Sequence, residues 1–121
     1  MIMLLLAVAG GLGAAARFLL DTLVARHHRL SMPLGTMVVN LSACLLLGLL
    51  TGWGLTHPGH QGLTAVLGVG FLGGYSTFST ASVEAARLVI AGRGILAIVH
   101  PVLMLLGCLG AATVGILITG P

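Results

Sequence analysis

The chain has 121 residues, 58% of them hydrophobic and only 6% charged, and its mean hydropathy is +1.18. So little polar surface excludes a water-soluble globule and leaves an all-α integral membrane protein. Five arginines, no lysine and two acids make the chain basic, but the arginines are scattered, which speaks against nucleic acid as a partner.

A bilayer-spanning helix needs ~20 mainly apolar residues, and four stretches qualify: residues 2–20, 34–55, 63–82 and 95–118. The expectation is a single four-helix transmembrane domain over residues 1–121, multi-pass in the cell (inner) membrane and bathed in lipid. Short connections at 21–33, 56–61 and 83–94 carry Arg26-His-His-Arg29, His57-Pro-Gly-His60, and Glu84 with Arg87 and Arg93. The N-terminus has no basic region ahead of its apolar run and continues into Arg17-Phe18. It reads as a retained first helix rather than a signal peptide.

On the first helix Gly10, Gly13 or Ala14, Arg17 and Asp21 recur at three- or four-residue steps, giving one face that is small at its start and charged at its end. This fits a close helix contact closed by a snorkelling Arg17 paired with Asp21. It also fits a fixed positive charge at the mouth of an anion pathway. On the second helix Thr36, Asn40, Cys44, Gly48 and Gly52 form a small, polar stripe. Asn40 either hydrogen-bonds a neighbouring helix or offers its NH2 to an anion that must shed water.

The third stretch contains Gly68-Val-Gly-Phe-Leu-Gly-Gly-Tyr-Ser-Thr-Phe-Ser-Thr80. Backbone polar groups must be satisfied internally at membrane depth, so a glycine-rich run there reads as a helix broken beside protein or an aqueous path. Freed carbonyls suit a hard cation, whereas hydroxyls and the positive edge of an aromatic ring suit an anion. Ser76, Thr77, Ser79, Thr80 and Ser82 exceed what back-bonding to the helix requires. Phe78 in their midst is either ordinary packing or part of a site.

The fourth stretch has His100-Pro101 and then Met104, Cys108 and Ala112 at four-residue spacing; His100 reads as a helix-end residue. Cys44 and Cys108 lie in apolar runs, where reduced cysteines serve as small packing residues rather than a disulfide framework. His57 and His60 alone are too few for a metal site. No catalytic constellation occurs, since neither carboxylate has an acidic neighbour, neither cysteine has a base, and the glycines follow no strand. The chain is not expected to be an enzyme.

Three motifs, Gly10-Gly-x-Gly-Ala-x-x-Arg17-Phe18, Gly35-Thr-x-x-Val-Asn40 and Gly70-Phe-Leu-Gly-Gly-Tyr-Ser-Thr-Phe-Ser-Thr80 with Glu84, resemble the CrcB/Fluc family of bacterial fluoride channels. The resemblance implies passive fluoride export by two antiparallel subunits, with two narrow pores and a structural sodium ion at the dimer centre. It places sodium on the backbone carbonyls of Gly73 and Ser76. Asn40, the Phe78 ring edge, Thr77, Ser79 and Thr80 would face fluoride, and Arg17 and Glu84 would sit at a vestibule or interface. The chain departs from the family pattern at Ala81, where a second phenylalanine is usual, and at His100, Met104 and Cys108, where a tyrosine and serines are.

Two alternatives stand beside this reading. One is a non-conducting or half-conducting subunit of a heterodimeric fluoride channel; the other is a small multidrug antiporter, which would need an intramembrane carboxylate. With four crossings, Arg26, Arg29, Arg87 and Arg93 share one side, while the other side has no Lys or Arg. That bias fixes one orientation, with both termini outside. It favours a homologous second subunit as the antiparallel partner over a homodimer.

Overall fold

The computed structural model describes residues 1–27 and 33–121, which are helical without a strand. His28 and Arg29, in the first expected connection, lie outside the described residues. In chain order the helices are α1 (Ile2–His27), α2 (Leu34–Thr56), α3 (Gln61–Ala65), α4 (Gly73–Tyr75), α5 (Ser79–Ile90) and α6 (Gly94–Thr119), with wide π-helical turns over Val66–Leu72 joining α3 to α4. Among the described residues, α1, α2 and α6 are long and apolar enough to cross a membrane.

Two connections are shorter than hydropathy implies. α1 runs on through Asp21 and Arg26 to His27, and α5 carries Glu84 and Arg87 on a helix where a loop is expected. Hydropathy marks where a chain leaves the apolar phase, whereas a helix persists until its backbone is broken. For α5 the break is Gly92, at φ +76°. Its N–H donates to the Val89 carbonyl at 3.0 Å and that of Arg93 to Leu88 at 2.8 Å, which closes a Schellman cap.

The packing is inside-out relative to a soluble protein. Leucines, isoleucines and valines cover the outside, while Gly13, Gly35, Gly48, Gly52 and Gly115 are buried. Lipid is as apolar as leucine, so helices associate through close backbone approach rather than by hiding large side chains. A Cβ on Gly13 would overlap the Phe71 carbonyl and one on Gly74 the Gly10 carbonyl; Gly48 meets the Ala112 backbone in the same way.

These contacts set the directions. Leu6 and Ala9 touch Gly70, Gly10 touches Gly74, and Gly13 reaches Tyr75, so α1 runs parallel to the 61–75 segment. Gly54 meets Thr64 and Leu47 meets Gly68, so that segment is antiparallel to α2. Asn40 meets Met104, Gly48 meets Ala112 and Gly52 meets Ile116, making α2 and α6 parallel. The small core of Val39, Ala43, Leu72 and Tyr75 lies between α2 and the end of α4, directly under the interruption that follows.

Candidate functional site

The helix that starts at Gln61 stops at Tyr75. Ser76 turns extended, with φ −74° and ψ 159°, and helical geometry resumes at Phe78. An unbroken helix would have the Thr77 N–H bond the Gly73 carbonyl, and the Thr80 N–H the Ser76 carbonyl. Both donors are diverted. Thr77 N–H donates to Asn40 Oδ1 at 2.9 Å, and Thr80 N–H donates to Thr77 Oγ1 at 3.2 Å, which caps α5.

Asn40 holds the break from both sides, because its Nδ2 also donates to the Thr77 carbonyl at 2.9 Å. A second Nδ2 contact goes to Met104 Sδ at 3.6 Å. Of the two roles the sequence leaves open for this NH2, the structure spends the amide on the backbone of a neighbouring segment, at Thr77. The exchange is favourable, since each buried polar group left unpaired costs about 1–3 kcal/mol. Thr77 Oγ1 donates to Thr80 Oγ1 at 3.0 Å and lies 3.3 Å from Ser79 Oγ, so three of the hydroxyls form one cluster.

Two residues without a role in the sequence reading support this arrangement. Ser42 Oγ donates to the Val39 carbonyl at 2.9 Å and therefore accepts from Tyr75 OH, 2.8 Å away. The buried tyrosine ring stacks on Phe71 at 6.1 Å. Ser42 and Tyr75 cannot be read as neighbours from spacing, because their bond spans two helices and 33 residues.

Phe78 is 87% exposed and contributes nothing to the packing of its own chain. With Asn40, Ser76 and Thr77 it lines a cavity of about 550 Å³, whose far wall is formed by Met104 and Cys108. Ala81 also lines it. Ser79 is exposed and Thr80 half-buried on the first turn of α5, and neither is among the residues that line the cavity. Gly73 is exposed too, with only the Gly68 carbonyl, at 3.9 Å, near the position a Cβ would take.

The charged residues are placed differently from expectation. Among the described residues Arg17 makes no ion pair with Asp21, and its buried Nε lacks a hydrogen-bond partner. Asp21 lies against Gly35 instead, at the start of α2, where the helix dipole favours a carboxylate. Glu84 Oε1 accepts a 2.7 Å bond from Thr36, which is 2% exposed. Glu84 therefore ties α5 to the first turn of α2 within the chain. His100 is not at a helix end: it is buried inside α6, one residue before Pro101. His57 stacks on Trp53 at 4.8 Å in the turn after α2.

Residues 4–116 match the profile of a family described as CrcB-like protein, Camphor Resistance (CrcB). The chain belongs to the CrcB-like family. A relative from Cutibacterium acnes named fluoride-specific ion channel FluC 2 is 48% identical over 119 residues, covering 97% of this chain and 90% of its own length. Fluoride-specific ion channel FluC 1 of Leifsonia xyli subsp. xyli is 42% identical over 120 residues, 99% of this chain and 88% of the relative. The FluC 2 protein of Rhodococcus jostii is 38% identical over 98% of this chain and 99% of its own. These CrcB-like relatives are named as ion channels and not as enzymes, and the multidrug-antiporter alternative finds no support among them.

Proposed function

We propose that the chain is a subunit of a fluoride-specific channel in the cell membrane, through which fluoride leaves the cytoplasm down its gradient. The observation that carries this reading is the interruption at residues 76–78. It sets hydroxyls, a clamped amide and an exposed phenylalanine around one cavity in an otherwise apolar surface. Proteins similar over nearly the whole chain are named for fluoride.

In this reading the 61–90 segment is the third of four crossings. The parallel run of α2 and α6 supports it, because the chain must return across the membrane between them. Fluoride entering the cavity gives up water and meets the Thr77 hydroxyl and the positive edge of Phe78, while Ser79 and Thr80 join it through their cluster with Thr77. Asn40 keeps Thr77 in place and lines the wall. Arg17 supplies a positive charge on α1 that raises the local anion concentration, while Glu84 fixes α5 against α2.

The carbonyls of Gly73 and Ser76 fit a structural sodium ion, since both have lost their usual helical donors and Gly73 lies open to a partner. Sodium, when bound, would supply a fixed positive charge that holds oxygen ligands of two subunits together. The partner is an antiparallel copy or homologue. A homologous second subunit is favoured by the cavity wall itself, where Ala81, Met104 and Cys108 stand in place of the aromatic and hydroxyl residues of the family pattern.

Fluoride-electrode recording of efflux from liposomes holding the purified chain tests the reading. Fluoride release without chloride release is expected, from this chain alone or once a homologous partner is co-reconstituted. Release of neither ion with both subunits present would overturn it.

A further inference from the structure

The two thiols of the cavity wall, Cys44 and Cys108, have no part in the site described above. Along the parallel helices α2 and α6, Asn40 meets Met104 and Gly48 meets Ala112, and Cys44 and Cys108 hold the matching positions one turn along between those two contacts. Both cysteines are free and only partly covered, and Cys44, Met104 and Cys108 all line the cavity beside Asn40 and Thr77. The contact of Gly48 with the Ala112 backbone holds the helices close just beyond the thiol pair. Two cysteines that only filled space would not need to share one register level, open on the same cavity and have a thioether one turn before Cys108.

We propose that Cys44, Cys108 and Met104 form a binding site for a soft monovalent cation of the copper(I) class, and that its occupation obstructs the cavity. Thiolates and thioethers select such ions, whereas hard cations prefer oxygen. The thiolate is the ligand, so one bound ion displaces one thiol proton. The exchange of H⁺ for M⁺ leaves the cluster's net charge unchanged, and no uncompensated charge is buried. The second thiol and the Met104 thioether complete the site as neutral donors. Taking the Met104 sulfur also removes an acceptor from Asn40 Nδ2, which links the site to the residue that clamps the helix break.

Silver(I) is the probe, because it is soft and monovalent and does not change oxidation state under the assay. Silver nitrate is titrated into the purified full chain in chloride-free buffer, following thiolate-to-silver ultraviolet absorption and proton release. One silver ion per chain and about one proton released per ion are expected. Cys44→Ser and Cys108→Ser should each weaken binding beyond the roughly 10–100-fold that loss of a supporting partner costs, and Met104→Leu by about tenfold. Two silver ions per chain, with one retained by each single serine variant, would show independent thiols and overturn the site. So would unchanged affinity in the double variant, and the titration of the unaltered chain decides the stoichiometry even if a variant misfolds.

The obstruction half rests on the fluoride-channel reading. Silver should abolish most fluoride efflux from liposomes, dithiothreitol should restore it, and the double serine variant should keep its own silver-free flux when silver is added. Silver bound at one per chain with undiminished efflux overturns the obstruction. Absence of efflux before silver is added counts against the channel reading instead, and the binding titration still decides the site.

Discussion

Asn40 and Thr36 are both small polar residues on one stripe of α2, yet they do different work. Asn40 pairs with backbone and Thr36 with a carboxylate. Asn40→Asp keeps an acceptor for the Thr77 N–H, loses the donor to its carbonyl and puts a negative charge where an anion must pass. Fluoride efflux is expected to fall far more than the yield of folded protein, measured by electrode and size-exclusion chromatography on the same sample; parallel losses would make the residue purely structural. Thr36→Val leaves Glu84 without its hydroxyl donor and should cost about 1–2 kcal/mol. A double-mutant cycle with Glu84→Gln, read by unfolding in detergent, should show the two residues coupled, and additive effects would argue against it. The stripe itself was legible from spacing alone. Which partner each residue takes was not, because Asn40 to Thr77 and Thr36 to Glu84 are contacts between distant stretches, and a single sequence carries no record of them. Phe78 was legible only as either ordinary packing or part of a site, and its 87% exposure depends on the extended turn at Ser76.

At the level of elements, glycine decides how closely the helices lie, and the structure separates glycines that matter from those that do not. Gly13→Ala drives a methyl group into the Phe71 carbonyl and should destabilise the fold by roughly 1–3 kcal/mol. Gly11 has open space around its would-be Cβ, so Gly11→Ala should be neutral or stabilise by about 0.5–1 kcal/mol. Thermal unfolding of both variants in detergent checks the contrast, and equal effects would mean that the α1 contact is not tight. The four apolar stretches, and a break in the third, could be read from hydropathy and glycine content. The helix ends could not: α1 and α5 outlast their apolar runs because neither Asp21–His27 nor the residues after Ser82 contain a breaker before Gly92 takes its left-handed turn. The π-helical turns at Val66–Leu72 also escaped, since glycine permits many backbone paths and the choice among them is made by packing on α1 and α2.

For the whole molecule, the open faces are those of Phe78 and Gly73, which a lone chain leaves bare. If their partner is an antiparallel subunit joined through sodium, replacing sodium with a large organic cation should abolish both fluoride efflux and the dimer on size-exclusion chromatography. Unchanged flux and dimer in sodium-free buffer would remove the ion from the account. The arginine bias calls for one orientation, so a C-terminal reporter active only in the cytoplasm should stay silent; a mixed population, with efflux from the chain purified alone, would point to a homodimer. Asn40 has a further consequence during synthesis. A segment interrupted at Ser76 is a poor passenger in lipid, since each unsatisfied backbone group there costs several kcal/mol. The residue that satisfies Thr77 lies earlier in the chain, so the ribosome delivers the clamp before the break that needs it. Ribosome-arrested chains extending past Ile90 should hold residues 61–90 protected from protease when Asn40 is present and lose that protection with Asn40→Ala, which makes α2 a membrane-bound template for the segment that follows it.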